Sequence, residues 1–264
     1  MSALSFDYNI RSAWRGRVET PASIGQKFLK TLDALSAIDP VFFANWEVTD
    51  SRALSSLTLD EARPRIAGLI EKNVVLDDFR KPSPEYGYHA SARVGRFKDP
   101  RSASMYVDAG GKFDGGTQLQ FGEWDVPPDL GLVRYPLYKA ALLAINAIWQ
   151  APFAWAYAFR VDYYEKPLTA GAPSFPYSRF HIPWIAYLSA HLSDGVQLPS
   201  EITTERTPDG GLLMTATEER LDPTNPEHWR RARILAETMV SRTGEKFSKP
   251  ARLIDLSKDP NQPL

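Results

Sequence analysis

Leu4, Phe6, Tyr8 and Ile10 alternate with Ser5, Asp7, Asn9 and Arg11, a period of two that predicts a strand with one buried face. The period then changes. Ile24, Phe28, Leu32, Leu35 and Ile38 recur every three or four residues, so a helix is predicted, with Thr20 as its cap, Pro21 in its first turn and Asp39-Pro40 at its end. Residues 41–48 are rich in β-branched and aromatic side chains and read as a short strand or an extended segment. Thr58 and Glu61 have capping-box spacing, but Pro64 would then fall inside the helix. That moves the expected start to the residue before the proline and leaves Ile66, Leu69 and Ile70 as the apolar face.

Between Glu85 and Trp124 the alternation of Tyr86, Tyr88, Ala90 and Ala92, then Met105 and Val107, then Leu119 and Phe121 predicts antiparallel strands with glycines in their loops. Pro127-Pro128 breaks the chain. Pro136 opens a helix with Leu137, Ala141, Ile145, Ile148 and Trp149 inward, and residues 153–163 read as a long alternating strand. Pro167, Gly171, Pro173 and Pro176 mark a loop, after which Pro183 is expected to open a helix carrying Trp184, Tyr187, Leu188 and Leu192. A hairpin over residues 202–217 and a helix capped by Asn225-Pro226, with Trp229, Ala232, Ala236 and Met239 inward, complete the pattern. The fold class expected is α+β: mostly antiparallel sheet or sheets packed by about five helices in a single compact domain over residues 1–243. Residues 244–264 form a tail in which Phe247, Leu253, Ile254 and Leu256 are the groups able to dock.

Composition narrows the function classes. With 43% hydrophobic residues and seven Trp, the chain has ample core material for a folded domain. The absence of cysteine removes thiolate nucleophiles, disulfides and sulfur-ligated metals, and fits a reducing cytoplasm. A formal charge of −1 argues against direct binding of nucleic acid through a large basic field. No export signal is expected, because the first residues lack a basic segment followed by an apolar run and Asp7 and Asn9 would interrupt one, and no membrane span, because the most apolar window, residues 138–159, is interrupted by Lys139, Asn146, Gln150 and Pro152.

Tests for chemistry give little. The glycine-rich run from Asp108 to Gly116 lacks the Lys-Ser/Thr and the following helix of a phosphate loop, so it reads as a hairpin loop. His89, His181, His191 and His228 form no metal-binding pair; His228 suits a first-turn capping role and His191 a half-buried packing role. No Gly-x-Ser-x-Gly elbow is present. Arg93, Arg96, Lys98 and Arg101 near Phe97 read as a solvated turn, and Arg230, Arg231 and Arg233 as the outer face of a helix. A small-molecule hydrolase using an Asp/Glu pair drawn from Asp162, Glu165, Glu123 and Asp125 stays open as the alternative, as does a self-assembling scaffold.

Two segments carry a resemblance. One is residues 23–40 with Phe43 and Trp46; the other comprises residues 184–188, Leu198-Pro199, residues 211–217 and residues 222–228, with Ala232 beyond. Together they cover roughly a third of the chain, and their order and spacing resemble the immunity protein 52 family of bacterial polymorphic-toxin systems. The resemblance implies no catalytic residue, metal or cofactor. It implies a partner, a cognate toxin with a restriction-endonuclease-like nuclease fold, neutralised in the cytoplasm by occlusion or distortion. A nuclease shows a positive surface to phosphate, so acidic and aromatic groups are the natural complement. The partner-binding candidates are Asp77 and Asp78 after the second helix, Glu123, Trp124, Asp125 and Asp129 at a strand end, and Glu218 and Glu219 after the hairpin.

Overall fold

In the computed structural model, which describes residues 6–50, 55–77, 79–123, 126–160 and 182–244, the opening alternation forms β1 (Phe6–Trp14). Helix α1 (Pro21–Ile38) follows. The Thr20 hydroxyl accepts the Ser23 N–H at 3.2 Å, and Ile24, Phe28, Leu32 and Leu35 are fully buried along one face. The expected strand over residues 41–48 is mostly a turn instead. Asp39 Oδ1 accepts the Val41 and Phe42 N–H groups, which coils the chain so that Phe43 stacks on Trp46 at 5.6 Å, and only then does β2 (Glu47–Asp50) begin and pair with β3 (Ser55–Thr58).

The capping box at Thr58 and Glu61 is real and starts α2 (Leu59–Ala62) before the proline, not beside it. Pro64 is absorbed by a 3₁₀ turn at Arg63–Arg65, where its missing N–H costs least, and α3 (Ile66–Lys72) resumes with Ile66, Leu69 and Ile70 buried. Strands β4 (Tyr88–Val94), β5 (Ala103–Ala109) and β6 (Gly115–Phe121) form the expected antiparallel meander. The β5–β6 loop needs its glycines: Gly110 has φ +85°, and a Cβ there would lie 2.7 Å from Ile24 Cδ1.

Helix α4 (Tyr135–Trp149) presents Leu137, Ala141, Ile145 and Trp149 to the sheet as expected. Strand β7 (Phe153–Arg160) is buried on both faces over Phe153, Ala154, Trp155, Ala156, Tyr157 and Ala158. The segment from Pro183 is a correction: Ile182–Leu188 is strand β8, not a helix, and all seven residues are buried. A short, continuous apolar run fits a buried strand as well as a helix, and here the neighbouring strands decide between them. Pro183 is tolerated because it sits opposite a register shift between Ala156 and Tyr157, where the ladder is already interrupted. Leu192 belongs instead to a single-turn helix, α5 (Ala190–Ser193). Strands β9 (Thr203–Arg206) and β10 (Leu212–Thr215) make the expected hairpin, and Asn225 Oδ1 accepts the Glu227 N–H at 2.9 Å to cap α6 (Pro226–Thr243).

These strands form one antiparallel sheet in the order β3-β2-β4-β5-β6-β1-β7-β8-β10-β9, so the fold is a single compact α+β architecture. One face is covered by α1, α3 and α4. There Trp184 packs against Tyr138 at 5.1 Å and donates from Nε1 to the Thr217 carbonyl at 2.8 Å. Among the described residues the other face is covered by α6 over β7, β8 and β10 only, where Leu235 and Met239 meet Trp155, Ala186 and Met214. Each such side chain removed from water contributes about 1.5–3 kcal/mol. The proline-rich loop expected after Lys166 and the tail from residue 245 lie outside the described residues.

Candidate partner-binding surfaces

Among the described residues α6 covers only half of the second face, and β4, β5, β6 and β1 place polar side chains on the other half. The alternation that buries Ala90, Ala92, Met105, Val107, Leu119 and Ile10 under the helices turns His89, Ser91, Arg93, Ser104, Tyr106, Asp108, Gln118 and Arg11 the other way. These side chains bond mainly to one another: His89 Nδ1 to Asp108 Oδ1 at 2.9 Å, Arg11 Nε to Gln118 Oε1 at 2.9 Å, and Gln118 Nε2 to Gln120 Oε1 at 3.4 Å. At the β3 side of this face lies an open groove of about 500 Å³, lined by Glu47, Thr49, Ser56, Ser91, Arg93, Ser104 and Tyr106. Its charges are partnered within it, since Glu47 accepts from Ser56 Oγ at 3.0 Å and stands 3.8 Å from Arg93.

In the groove the one hydroxyl bonded to a carboxylate is Ser56, on Glu47. Among the described residues no hydrogen bond joins His89 to a hydroxyl, and Glu47 is the one carboxylate in the groove lining, so no carboxylate pair forms there. Of the acids weighed for a hydrolase, Asp162, Glu165 and Asp125 lie outside the described residues, while Glu123 sits in a tight turn bridged to Val126. No group of three His, Asp or Glu able to hold a metal occurs among the described residues. Burial strongly perturbs one carboxyl among the described residues. Asp7 on β1 is 3% exposed, its Oδ1 has no hydrogen-bond partner among the described residues, and burial pushes its pKa up to about 7.

Of the other histidines, His181 lies outside the described residues, and His191 and His228 make local hydrogen bonds. His228 is buried, and its Nδ1 accepts the Asp222 N–H at 3.0 Å, which ties the α6 entry loop to the first turn of the helix. The packing role expected for His191 is not what the fold gives it. It is exposed on α5 and bonds Ser189 Oγ at 3.0 Å, because Leu188 before it belongs to a strand and the helical face that would have buried it does not exist. Of the first basic cluster Arg96, Lys98 and Arg101 follow β4 in the expected turn while Arg93 lies within the strand, and the second cluster lies on the outer face of its helix as expected. Arg93 and Lys98 stand over the Phe97 ring at 5.9 and 5.8 Å, and Arg230, Arg231 and Arg233 pair with Glu201, Glu227 and Glu237 on the exposed face of α6.

The acidic candidates divide between the two ends of the sheet. Glu123 and Asp129 follow β6 and Glu218 and Glu219 follow β10. Asp129 lies 3.7 Å from Arg101, and Arg220 reaches the Leu130 carbonyl at 3.5 Å, so these four acids share one end. Glu218 and Glu219 are exposed, and Asp129 Oδ1 also accepts the Gly131 N–H. Asp77 stands at the opposite end, where Val74 pairs with Tyr88 at the start of β4. Asp78, Trp124 and Asp125 lie outside the described residues.

Around Asp77 the fold shows a feature that the hydrophobic pattern did not single out. Leu76 pairs with Pro82 to close a small hairpin, whose tip carries Phe79, 83% exposed, between Asp77 and the Arg80-Lys81 pair. Asp77 Oδ1 accepts the N–H groups of Phe79 at 2.9 Å and Lys81 at 2.8 Å. At the same end Tyr86 packs on the exposed Phe113 at 4.6 Å. The legible signal was a lone aromatic between charges, but an apolar residue outside a periodic segment leaves no trace of whether it is buried.

The model of the immunity protein 52 family matches residues 131–244, the segment from the start of α4 to the end of α6. Among solved structures, Pseudomonas aeruginosa T6SS protein PA0821 is similar with a TM-score of 0.52 and 14% identity, over 92% of this chain and 73% of that one. At that identity the likeness concerns the fold. Comparison with curated proteins gave no significant match.

Proposed function

Taking as premise that the chain belongs to the immunity protein 52 family through residues 131–244, we propose that it binds one cognate bacterial toxin and neutralises it by direct contact. The toxin in this reading is a nuclease with a restriction-endonuclease-like fold, met in the cytoplasm of the producing cell. The observation that carries the proposal is the family match itself, which spans α4, β7, β8, β10 and α6 and therefore both sides of the sheet. The same fold in a T6SS protein agrees with a toxin delivered between bacteria.

Physical features support a contact function over a chemical one. The polar face and its groove hold charges already neutralised by neighbours, a setting suited to recognition and poor for proton transfer. The exposed Glu218 and Glu219 after β10, with the half-buried Glu123 and Asp129 after β6, offer negative charge to a nuclease surface built for phosphate. No described helix is long and apolar enough to cross a membrane. The test is co-expression with the toxin encoded beside this chain's gene. Growth should be restored and a stoichiometric complex should form, whereas toxicity unchanged by this chain, with no complex by size exclusion, would sink the proposal.

A further inference from the structure

We propose that the groove beside the β3 edge of the sheet receives an extended, uncharged polar segment of the toxin, bonded through its main chain to Ser56 and through its side chains to the hydroxyls of the groove. This rests on the immunity reading above and names the kind of segment the toxin presents. The groove crosses four neighbouring strands, from Ser56 on β3 past Thr49 on β2 and Ser91 on β4 to Tyr106 on β5. The hydroxyls of Thr49, Ser55, Ser91, Ser104 and Tyr106 line it without a hydrogen bond to any described residue. Ser104 is the telling one, because it is only 8% exposed and still lines the groove. A hydroxyl so far from bulk water and without a partner in its own chain costs free energy, which a ligand group recovers by bonding to it.

The strand edge calls for an extended occupant. β3 ends the sheet and pairs with β2 alone among the described residues. The Leu59 N–H bonds the Trp46 carbonyl at 3.0 Å, and with Thr58 opposite Glu47 the alternation turns the main-chain groups of Ser56 and Thr58 away from β2. The Thr58 N–H is taken by the Glu61 carboxylate at 2.9 Å, which leaves the Ser56 N–H and carbonyl for an added strand. β3 also carries neither charge nor proline, the residues that blunt an edge, whereas β9 at the other edge carries Glu205 and Arg206. The lining decides the rest. Its two charged side chains, Glu47 and Arg93, stand 3.8 Å apart and cancel, so a charged occupant would leave water with no opposite charge to meet it. Main-chain amides and Ser, Thr, Asn or Gln side chains bring donors and acceptors together, as the hydroxyls opposite them do. The groove lies outside residues 131–244, so the family match does not assign it.

The test uses the full chain and the neighbouring-gene toxin carrying an inactivating active-site substitution, with binding measured by interferometry and protection by growth. Ser104→Ala combined with Tyr106→Phe should raise Kd about tenfold or more and reduce protection, with the melting temperature unchanged because neither hydroxyl bonds to a described residue. Ser56→Pro, which removes an outward donor and spares the β2 ladder, should raise Kd by a similar factor. Ser91→Asp and Ser91→Lys should each weaken binding, since an uncharged occupant is opposed by either sign. Gln26→Ala, exposed on α1 behind the sheet, should change neither affinity nor protection. If the unmodified chain binds and protects but the chain with Ser104→Ala and Tyr106→Phe does so equally well, the groove inference is overturned and the immunity reading stands. Tighter binding by Ser91→Asp or by Ser91→Lys would identify a charged occupant and overturn it as well. If the unmodified chain forms no complex, the immunity reading falls and this inference with it. Self-association of the chain that Ser56→Pro abolishes, with toxin binding intact, would assign the edge to a second copy and overturn the inference.

Discussion

Replacing Asp7 with Asn isolates the cost of one buried carboxyl. The residue lies on β1, between two neighbouring strands, with 3% of its surface exposed and an Oδ1 that finds no partner among the described residues. Burial disfavours the charged form and raises the pKa from 3.8 to about 7. The sign follows from which state holds the proton. Below about pH 4 both folded and unfolded chains carry a neutral Asp7, and its contribution is intact. Between about pH 4 and 7 the unfolded chain ionises first, so stability is lost as pH rises, and above about 7 the loss is complete. At about 1.4 kcal/mol for each pH unit the total is about 4 kcal/mol, a large share of the stability of a typical domain. Asp7→Asn keeps the shape and abolishes the titration. Urea unfolding of both proteins at half-unit steps from pH 4 to 8.5 should show near-equal stability at pH 4 and an advantage for the variant that grows to about 4 kcal/mol by pH 8. A difference independent of pH, or a variant less stable at pH 8, would refute the burial argument.

Three further outcomes are expected. Trp184→Phe should cost about 1–3 kcal/mol in chemical denaturation, because it strips the buried Thr217 carbonyl of its indole donor while keeping most of the apolar contact with Tyr138. Asn225→Ala should remove about 1 kcal/mol by exposing the α6 N-terminus, a loss that Asn225→Ser should largely restore. Asp77→Ala should leave the global unfolding midpoint within about 0.5 kcal/mol, as for most surface changes, while amide exchange at Phe79 and Lys81 quickens.

Several elements of this protein were written locally. Thr20 with Pro21, Thr58 with Glu61 and Asn225 with Pro226 each satisfy their helix starts through atoms three residues away or fewer; the sequence alone located the first and third, while Pro64 moved the expected second start away from Thr58. The alternations in β4, β5 and β6 likewise fixed which side chains face the helices, because a strand covered on one face imprints a period of two, whereas β1, read from sequence as half-buried, is buried on both faces at Asp7 and Asn9. The acidic candidates were visible as residues, and the hairpin that presents Phe79 was not, since exposure is a property of what fails to pack nearby. Only the tertiary structure could make Ile182–Leu188 a strand: its seven consecutive apolar residues carry no period, and helices on both sides of β7 and β8 remove the alternation that would have declared it. Only the tertiary structure, too, separated Asp77 from Glu123, Asp129, Glu218 and Glu219. Strand direction and register decide which loops share an end of the sheet, and those are set by hydrogen bonds between residues far apart in the chain.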